Sequence, residues 1–228
     1  VRHNRNGHEQ TLFPGTPKME RPDRIVLRFV LRRLRLGVRG LKALVLPVDR
    51  RRWAKEARSE PVWNARNERI AALLGPARSV IDLGSGAQTL RRHLPDGCAY
   101  RPCDVVASSE DVLLCDFNRG RYPETDETFD IAVCSGVLEY VRTPREFLRR
   151  VPDYARHVIL TYAPNDETDS RLKRLGRGWV NHLTQAHIEG LFDELGLAWT
   201  LVDTWEEYNR HLIYRIEGRA DKRTREAG

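Results

Sequence analysis

The residues best placed to do chemistry are Asp82, Leu83, Gly84, Ser85 and Gly86, which follow Val80 and Ile81 in one strand-to-turn run. Glycines at 84 and 86 let the backbone turn tightly and let a ligand approach closer than a Cβ allows. A helix starting beyond the turn would aim its N-terminal amides at the same space. The spacing discriminates among ligands. A dinucleotide fingerprint needs G-x-G-x-x-G, whose sixth position is Thr89 here, and a phosphate loop needs a Gly-Lys-Ser/Thr that is missing. An acid two residues before the first glycine repels a pyrophosphate but suits a ligand carrying an ammonium and a sulfonium group.

Three further groups fall at the ends of later predicted strands, the edge at which open α/β sheets bind ligands. Asp104 stands 22 residues after Asp82, where a carboxylate can accept from both hydroxyls of a ribose. Asp116, in Cys115-Asp116-Phe117-Asn118, is placed to bond an adenine amine, with Phe117 against the ring. Ser135 and Gly136 end the run Asp130–Cys134. Singly, each has a plainer reading: Asp is common in caps and turns, Phe117 would serve in a core, and the glycines would serve a tight turn. Their joint order is what favours a ligand site.

With these residues assembled, the stretch from about Trp63 to Ile216 resembles the class I S-adenosylmethionine-dependent methyltransferases. The resemblance implies a Rossmann-like α/β fold with a seven-stranded, mostly parallel sheet whose last strand is antiparallel. It implies that the Asp82–Gly86 turn meets the methionine part of S-adenosyl-L-methionine, Asp104 with Val105 the ribose, and Asp116 with Phe117 the adenine. Ser135 and its neighbours would line the pocket by their backbone, and S-adenosyl-L-homocysteine would be the product. Many members have a third glycine where this chain has Gln88, a departure that would crowd the amino-acid end of the cofactor.

Methyl transfer from a sulfonium is an in-line displacement, in which positioning supplies much of the acceleration. A base is needed only where the acceptor must lose a proton early. The candidates are His182, Tyr162 and Tyr140, with His182 the best by its ordinary pKa of about 6.5; its plainer reading is a helix-entry residue before Thr184. The fourth strand leads into Cys134-Ser135-Gly136-Val137 rather than the (D/N/S)-P-P-(Y/F/W) motif of amino-methylating DNA enzymes. Leu138-Glu139-Tyr140-Val141 and the short connections resemble members acting on small biosynthetic molecules. The leading reading is therefore methylation of a small-molecule, glycan or lipid-linked acceptor. Its rivals are an RNA methyltransferase and a non-catalytic S-adenosylmethionine-binding adaptor.

The elements that must position these residues follow from periodicity. Apolar runs predict strands at Ser79–Leu83, Ala99–Cys103, Val112–Cys115, Phe129–Cys134 and His157–Tyr162, alternating with helical patterns such as Val62–Leu74, Thr89–Leu94 and Pro144–Val151. Thr184 is a natural N-cap for a helix ending before Gly196. Leu197–Trp205 and Leu212–Ile216 read as a terminal hairpin at the sheet edge.

The 228 residues carry a formal charge of +7, distributed unevenly. Between Arg21 and Arg58 stand 13 Lys/Arg against 3 Asp/Glu, a local +10, while Ser59–Gly228 is −4. Within that basic stretch Arg24, Arg28, Arg32, Arg35, Arg39 and Lys42 recur at helical steps among apolar residues, with Pro47 as the stop. The predicted organisation is a lead-in at 1–23, a basic amphipathic extension at 24–58, the binding domain at 59–218 and a charged tail at 219–228. The extension suits a lid or packing helix, or a peripheral membrane contact through residues 24–46. Nucleic acid is the weaker partner, because it would leave the wide apolar arc uncovered. Cys98, Cys103, Cys115 and Cys134 lack metal-ligand spacing and read as free thiols in a reducing cytoplasm, with no metal site.

Overall fold

The computed structural model describes residues 61–166, 171–206 and 210–219, and before them only Val30, Leu31, Leu34 and Val38. The lead-in, most of the basic extension and all but the first residue of the charged tail lie outside the described residues. Val1–Arg35 and Leu36–Gly228 are separate compact units, and the sheet and the cavity belong to the second.

Seven strands form one sheet: β1 (Ser79–Leu83), β2 (Ala99–Asp104), β3 (Leu113–Leu114), β4 (Phe129–Cys134), β5 (Ala155–Tyr162), β6 (Trp199–Trp205) and β7 (His211–Glu217). Their order is β3-β2-β1-β4-β5-β7-β6. Neighbours from β3 to β5 pair in parallel, whereas β7 runs antiparallel to both β5 and β6. The fold is the expected one, with the final hairpin inserted so that β6 forms the edge. β3 is shorter than its sequence suggests: Cys115 N still bonds Asp104 O of β2, but at Asp116 the chain turns away to bridge with Arg121.

Both sheet faces are buried, and the strands alternate between them. Ile81 and Leu83 of β1, with Ala132 and Cys134 of β4, pack under α2 (Pro144–Arg150) and α4 (Gln185–Glu194) through Phe147, Leu148, Ile188 and Phe192. Val80, Ile131 and Val133 face the other way, onto Ile70 of α1 (Pro61–Ala72), Leu74 just beyond its end, and Leu90. A strand buried on both sides must be apolar at successive positions, which is why β1 and β4 read as near-continuous hydrophobic runs. Thr184 caps α4 as expected, its Oγ1 accepting from His187 N at 3.2 Å.

Two expectations require correction. The segment after the glycine turn is a five-residue 3-10 stretch, Thr89–His93, ended by Leu94-Pro95, so no full helix aims a row of amides at the turn. The reading of four free thiols also fails: Cys103 and Cys115 form a disulfide, leaving Cys98 and Cys134 free. Parallel pairing sets Cys103 opposite Leu113 and Asp104 opposite Leu114, Cys115 N then donates to Asp104 O at 2.9 Å, and the two cysteine Cα atoms lie 6.2 Å apart. Sequence spacing did not show that neighbourhood. Among the described residues no His/Cys/Asp/Glu group could hold a metal, and no helix is long and apolar enough to cross a membrane.

Candidate active site

One cavity lies across the C-terminal ends of the parallel strands. The strand-end rule thus collects onto it Asp82, Gly84, Ser85, Gly86, Asp104, Val105, Asp116, Phe117, Ser135 and Tyr140. Leu83 is wholly buried in the core and is not among the walls. Neither Tyr162 nor His182 borders the cavity. The Tyr162 hydroxyl donates to Asn181 Oδ1 (2.6 Å) and accepts from Leu183 N (2.9 Å), so it braces a loop. His182 accepts from the Arg174 guanidinium at 3.3 Å, and burial with the charges of Arg174 and Arg171 lowers its pKa.

The turn is held from two sides. Gly84 N and Ser85 N donate to Cys103 O at 2.7 and 3.0 Å, while Gly86 N donates to Asp104 Oδ2 at 2.8 Å. Asp104 Oδ1 accepts from Val106 N at 3.1 Å. Gly84 sits at φ 90°, and a Cβ there would stand 2.7 Å from Val137 Cγ2, so only glycine fits. Gln88 adopts φ 55°, the only non-glycine residue in the left-handed region among those described. Its amide reaches the hydroxyls of Ser108 and Ser109, and Gln88 is absent from the cavity walls. The missing third glycine therefore does not crowd the cavity.

Asp82 is 2% exposed, and burial pushes its carboxyl up to about 7, with Asp104 adding to the rise while the hydrogen bond from Tyr100 (2.6 Å) and the Arg66 charge oppose it. Burial also raises Asp104, against the amides that favour its charged form. Phe117 packs edge-on to Phe147 at 4.9 Å and borders the cavity.

Four wall elements escaped the sequence reading. α1 contributes Trp63, Arg66 and Asn67. Asn67 Nδ2 donates to Thr89 Oγ1 (2.7 Å), and Ser135 Oγ donates to Asn67 Oδ1 (2.8 Å). Arg66 donates to Ser135 O at 3.2 Å and lies over Gly136. The signal was available: Trp63, Arg66, Asn67, Ile70 and Leu74 share one helical face, and two polar residues on an otherwise apolar face need partners. Glu139, Trp179 and His211 complete the walls from three separate segments. No periodicity joins them.

Buried polar atoms without partners concentrate on this cavity. Of the eight such side-chain atoms among the described residues, Arg66 Nε, Ser85 Oγ, Asp116 Oδ1, Glu139 Oε2 and His211 Nδ1 belong to its walls. Buried groups of this kind are rare in a finished core and mark a place where a ligand completes the bonding. Ser85 Oγ and Asp116 Oδ1 lie at the glycine-turn and third-strand sides, and they fit the polar groups of an amino acid and an adenine.

The comparisons agree with this geometry. The family model described as "Methyltransferase domain" matches residues 53–202. Among solved structures, the fold resembles the plantazolicin methyltransferase BpumL in complex with S-adenosylhomocysteine, at TM-score 0.58 and 10% identity, covering 86% of this chain and 99% of that one. The 1,6-didemethyltoxoflavin-N1-methyltransferase of Burkholderia thailandensis, with 1,6-didemethyltoxoflavin and S-adenosylhomocysteine bound, gives 0.53 and 15%, with 90% and 93% covered. The magnesium protoporphyrin IX methyltransferase of Synechocystis, also with S-adenosylhomocysteine, gives 0.51 and 17%, with 68% and 83% covered. No curated protein matches the sequence. A glycine turn followed in order by acids on the next strand ends, on this sheet topology and under this family match, leaves one assignment: the chain belongs to the class I S-adenosylmethionine-dependent methyltransferases.

Proposed function

We propose that the chain methylates a small-molecule acceptor held at the β4–β7 side of the cavity. The observation that carries this is the wall there, built of groups withdrawn from the surface: Glu139, Trp179 and His211 are 0, 6 and 4% exposed. A flat macromolecular surface has no access to such groups, whereas a small planar molecule can lie against the indole and bond the polar atoms. Asp82, Ser85 and Gly86 would hold the methionine part of S-adenosylmethionine, Asp104 and Val105 the ribose, and Asp116 the adenine amine. The bound donor supplies an activated methyl group; the protein's own task is to orient the acceptor and exclude water. The related structures that contain a natural-product or heteroaromatic acceptor analogue support the same class. The test is radiolabelled methyl transfer to a panel of phenols, carboxylic acids and N-heterocycles, with bulk tRNA beside them. Transfer to a panel member supports the reading, and transfer to tRNA alone overturns it.

A glycan or lipid-linked acceptor is the second reading, and it rests on the N-terminal unit. Val30, Leu31 and Leu34 are helical and 45, 42 and 60% exposed, an apolar face beside the arginine-rich sequence. Such a face with adjacent cations suits an anionic membrane surface. Flotation with anionic against neutral vesicles decides it, and failure to float removes the membrane contact.

A further inference from the structure

The antiparallel β7 places its first residue where every parallel strand places its last. Leu212 pairs with Tyr162 at the end of β5, so His211 stands just beyond that end, on the cavity edge of the sheet. Its ring packs on Trp205 at 5.5 Å between centroids, which fixes the ring plane. His211 Nδ1 is buried, makes no hydrogen bond and lies 3.9 Å from Glu139 Oε1. Glu139 is equally enclosed: its Oε1 accepts from Ala163 N at 2.8 Å, and its Oε2 is buried without a partner. A carboxylate beside one nitrogen of an imidazole that itself borders the cavity is the arrangement that makes a histidine a directed base.

We propose that His211 is the general base of the transferase and that Glu139 is its positioning residue, an assignment that rests on the small-molecule acceptor proposed above. Glu139 accepts the Nδ1 proton when the 3.9 Å gap closes, which leaves the Nε2 lone pair to receive a proton from the acceptor. The acceptor class is accordingly one with an O–H or N–H to lose: a phenol, an enol or a heteroaromatic N–H. In the transfer the acceptor's X–H bond breaks with its proton going to Nε2, the X–CH3 bond forms, and the donor's S–CH3 bond breaks with its electron pair going to sulfur. The imidazolium then gives its proton to solvent as product leaves.

The surroundings fit a base that starts neutral. Burial lowers the His211 pKa to about 3, with the charges of Arg66 of α1, Arg177 and Arg174 of α3 (Arg171–Gly176) adding to the fall, while Glu139 is the facing acid. The ring is unprotonated throughout the neutral range; the same surroundings oppose forming the imidazolium, and Glu139, whose own carboxyl burial raises against the charges of Arg66 and Arg174, offsets that cost as the gap closes. Of the three candidate bases from sequence, Tyr162 and His182 instead support the loop that carries Trp179, and Tyr140 borders the cavity.

Two measurements test the pair. Nitrogen-15 NMR of imidazole resonances in the full chain bound to S-adenosylhomocysteine, with His211→Asn for assignment, needs no acceptor. The expected result is a neutral ring near pH 7 with its proton on Nδ1, shifted in Glu139→Gln; a doubly protonated ring, or one with its proton on Nε2, overturns the proposal. With an acceptor found in the panel, His211→Asn should lower kcat by roughly 100-fold or more, while S-adenosylmethionine affinity stays within about twofold. Its residual rate should climb with pH as the acceptor itself ionises. A kcat in His211→Asn close to that of the parent overturns the assignment. If no panel member is methylated by the parent chain, the small-molecule reading fails and the NMR result alone decides His211.

Discussion

Asp104 Oδ2 accepts a hydrogen bond from the amide of Gly86, 2.8 Å away and 18 residues earlier in the chain. The carboxylate that the family pattern gives to a ribose thus also holds the shape of the glycine turn. Asp104→Ala should remove both functions. A hydrogen bond to a charged group contributes about 1.5–3 kcal/mol, so S-adenosylmethionine binding by calorimetry should weaken by roughly 10-fold to 100-fold. Unchanged affinity would remove Asp104 from the site.

Asp82 should make cofactor binding depend on pH. Burial pushes its carboxyl up to about 7, and a bound cation favours the charged form. Affinity should therefore rise as pH rises through about 7, with proton release detectable by calorimetry in buffers of different ionisation enthalpy. Asp82→Asn should abolish the release. The stability sign follows the same shift: the raised pKa contributes stability below about 3.8 that is lost as pH rises towards 7.

His211 should act on stability in the opposite direction. Its pKa falls from 6.5 to about 3 on folding, so the unfolded chain takes up the proton first. Its contribution is present above pH 6.5 and lost as pH falls towards 3. Denaturant titrations of His211→Asn and the parent should diverge most above pH 7 and progressively less from about 6.5 down towards 3, once Asn's own packing effect is subtracted as a constant. A pH-independent difference would contradict the shift.

Gly136 at φ 64° leaves room for Arg66, and an added Cβ would lie 2.4 Å from Arg66 Nη1. Gly136→Ala should push the guanidinium off Ser135 O and strain the backbone together. A loss of about 1–3 kcal/mol in urea denaturation is expected, with weaker S-adenosylmethionine binding. Arg66→Met in the same background separates the two costs, because it removes the clash but not the strain.

The Cys103–Cys115 disulfide closes a short loop that includes Asp104. Thiol titration of the denatured, unreduced chain should count two free thiols, Cys98 and Cys134. Reduction should cost about 2–4 kcal/mol of stability. Four free thiols would restore the reading taken from sequence.

The cofactor side was legible in sequence because it is local. Asp82 to Gly86 are consecutive, and Asp104, Asp116 and Ser135 each end or follow a strand whose apolar run announces it. Alternating strands and helices then place those ends on one edge. That much needs only backbone geometry and the handed connection of parallel strands. The Cys103–Cys115 pair and the short 3-10 stretch escaped because each depends on where a chain segment is stopped or what it pairs with. Arg66 and Asn67 left a partial trace, as polar residues on an apolar helical face.

The sequence by itself determined the fold class, the glycine turn and the ordered acids, since each is written in the residue types of one short segment. The acceptor side, by contrast, exists only once the chain is folded. Glu139, Trp179 and His211 come from the 3-10 turn Leu138–Tyr140 after β4, a loop after α3 and the start of an antiparallel strand, and they meet because β7 inserts beside β5. Whether a histidine is buried and unpaired, as His211 is, or held by an arginine, as His182 is, depends on neighbours distant in the chain. Long-range packing, not local spacing, sets the solvation and hydrogen bonding that separate a base from a brace.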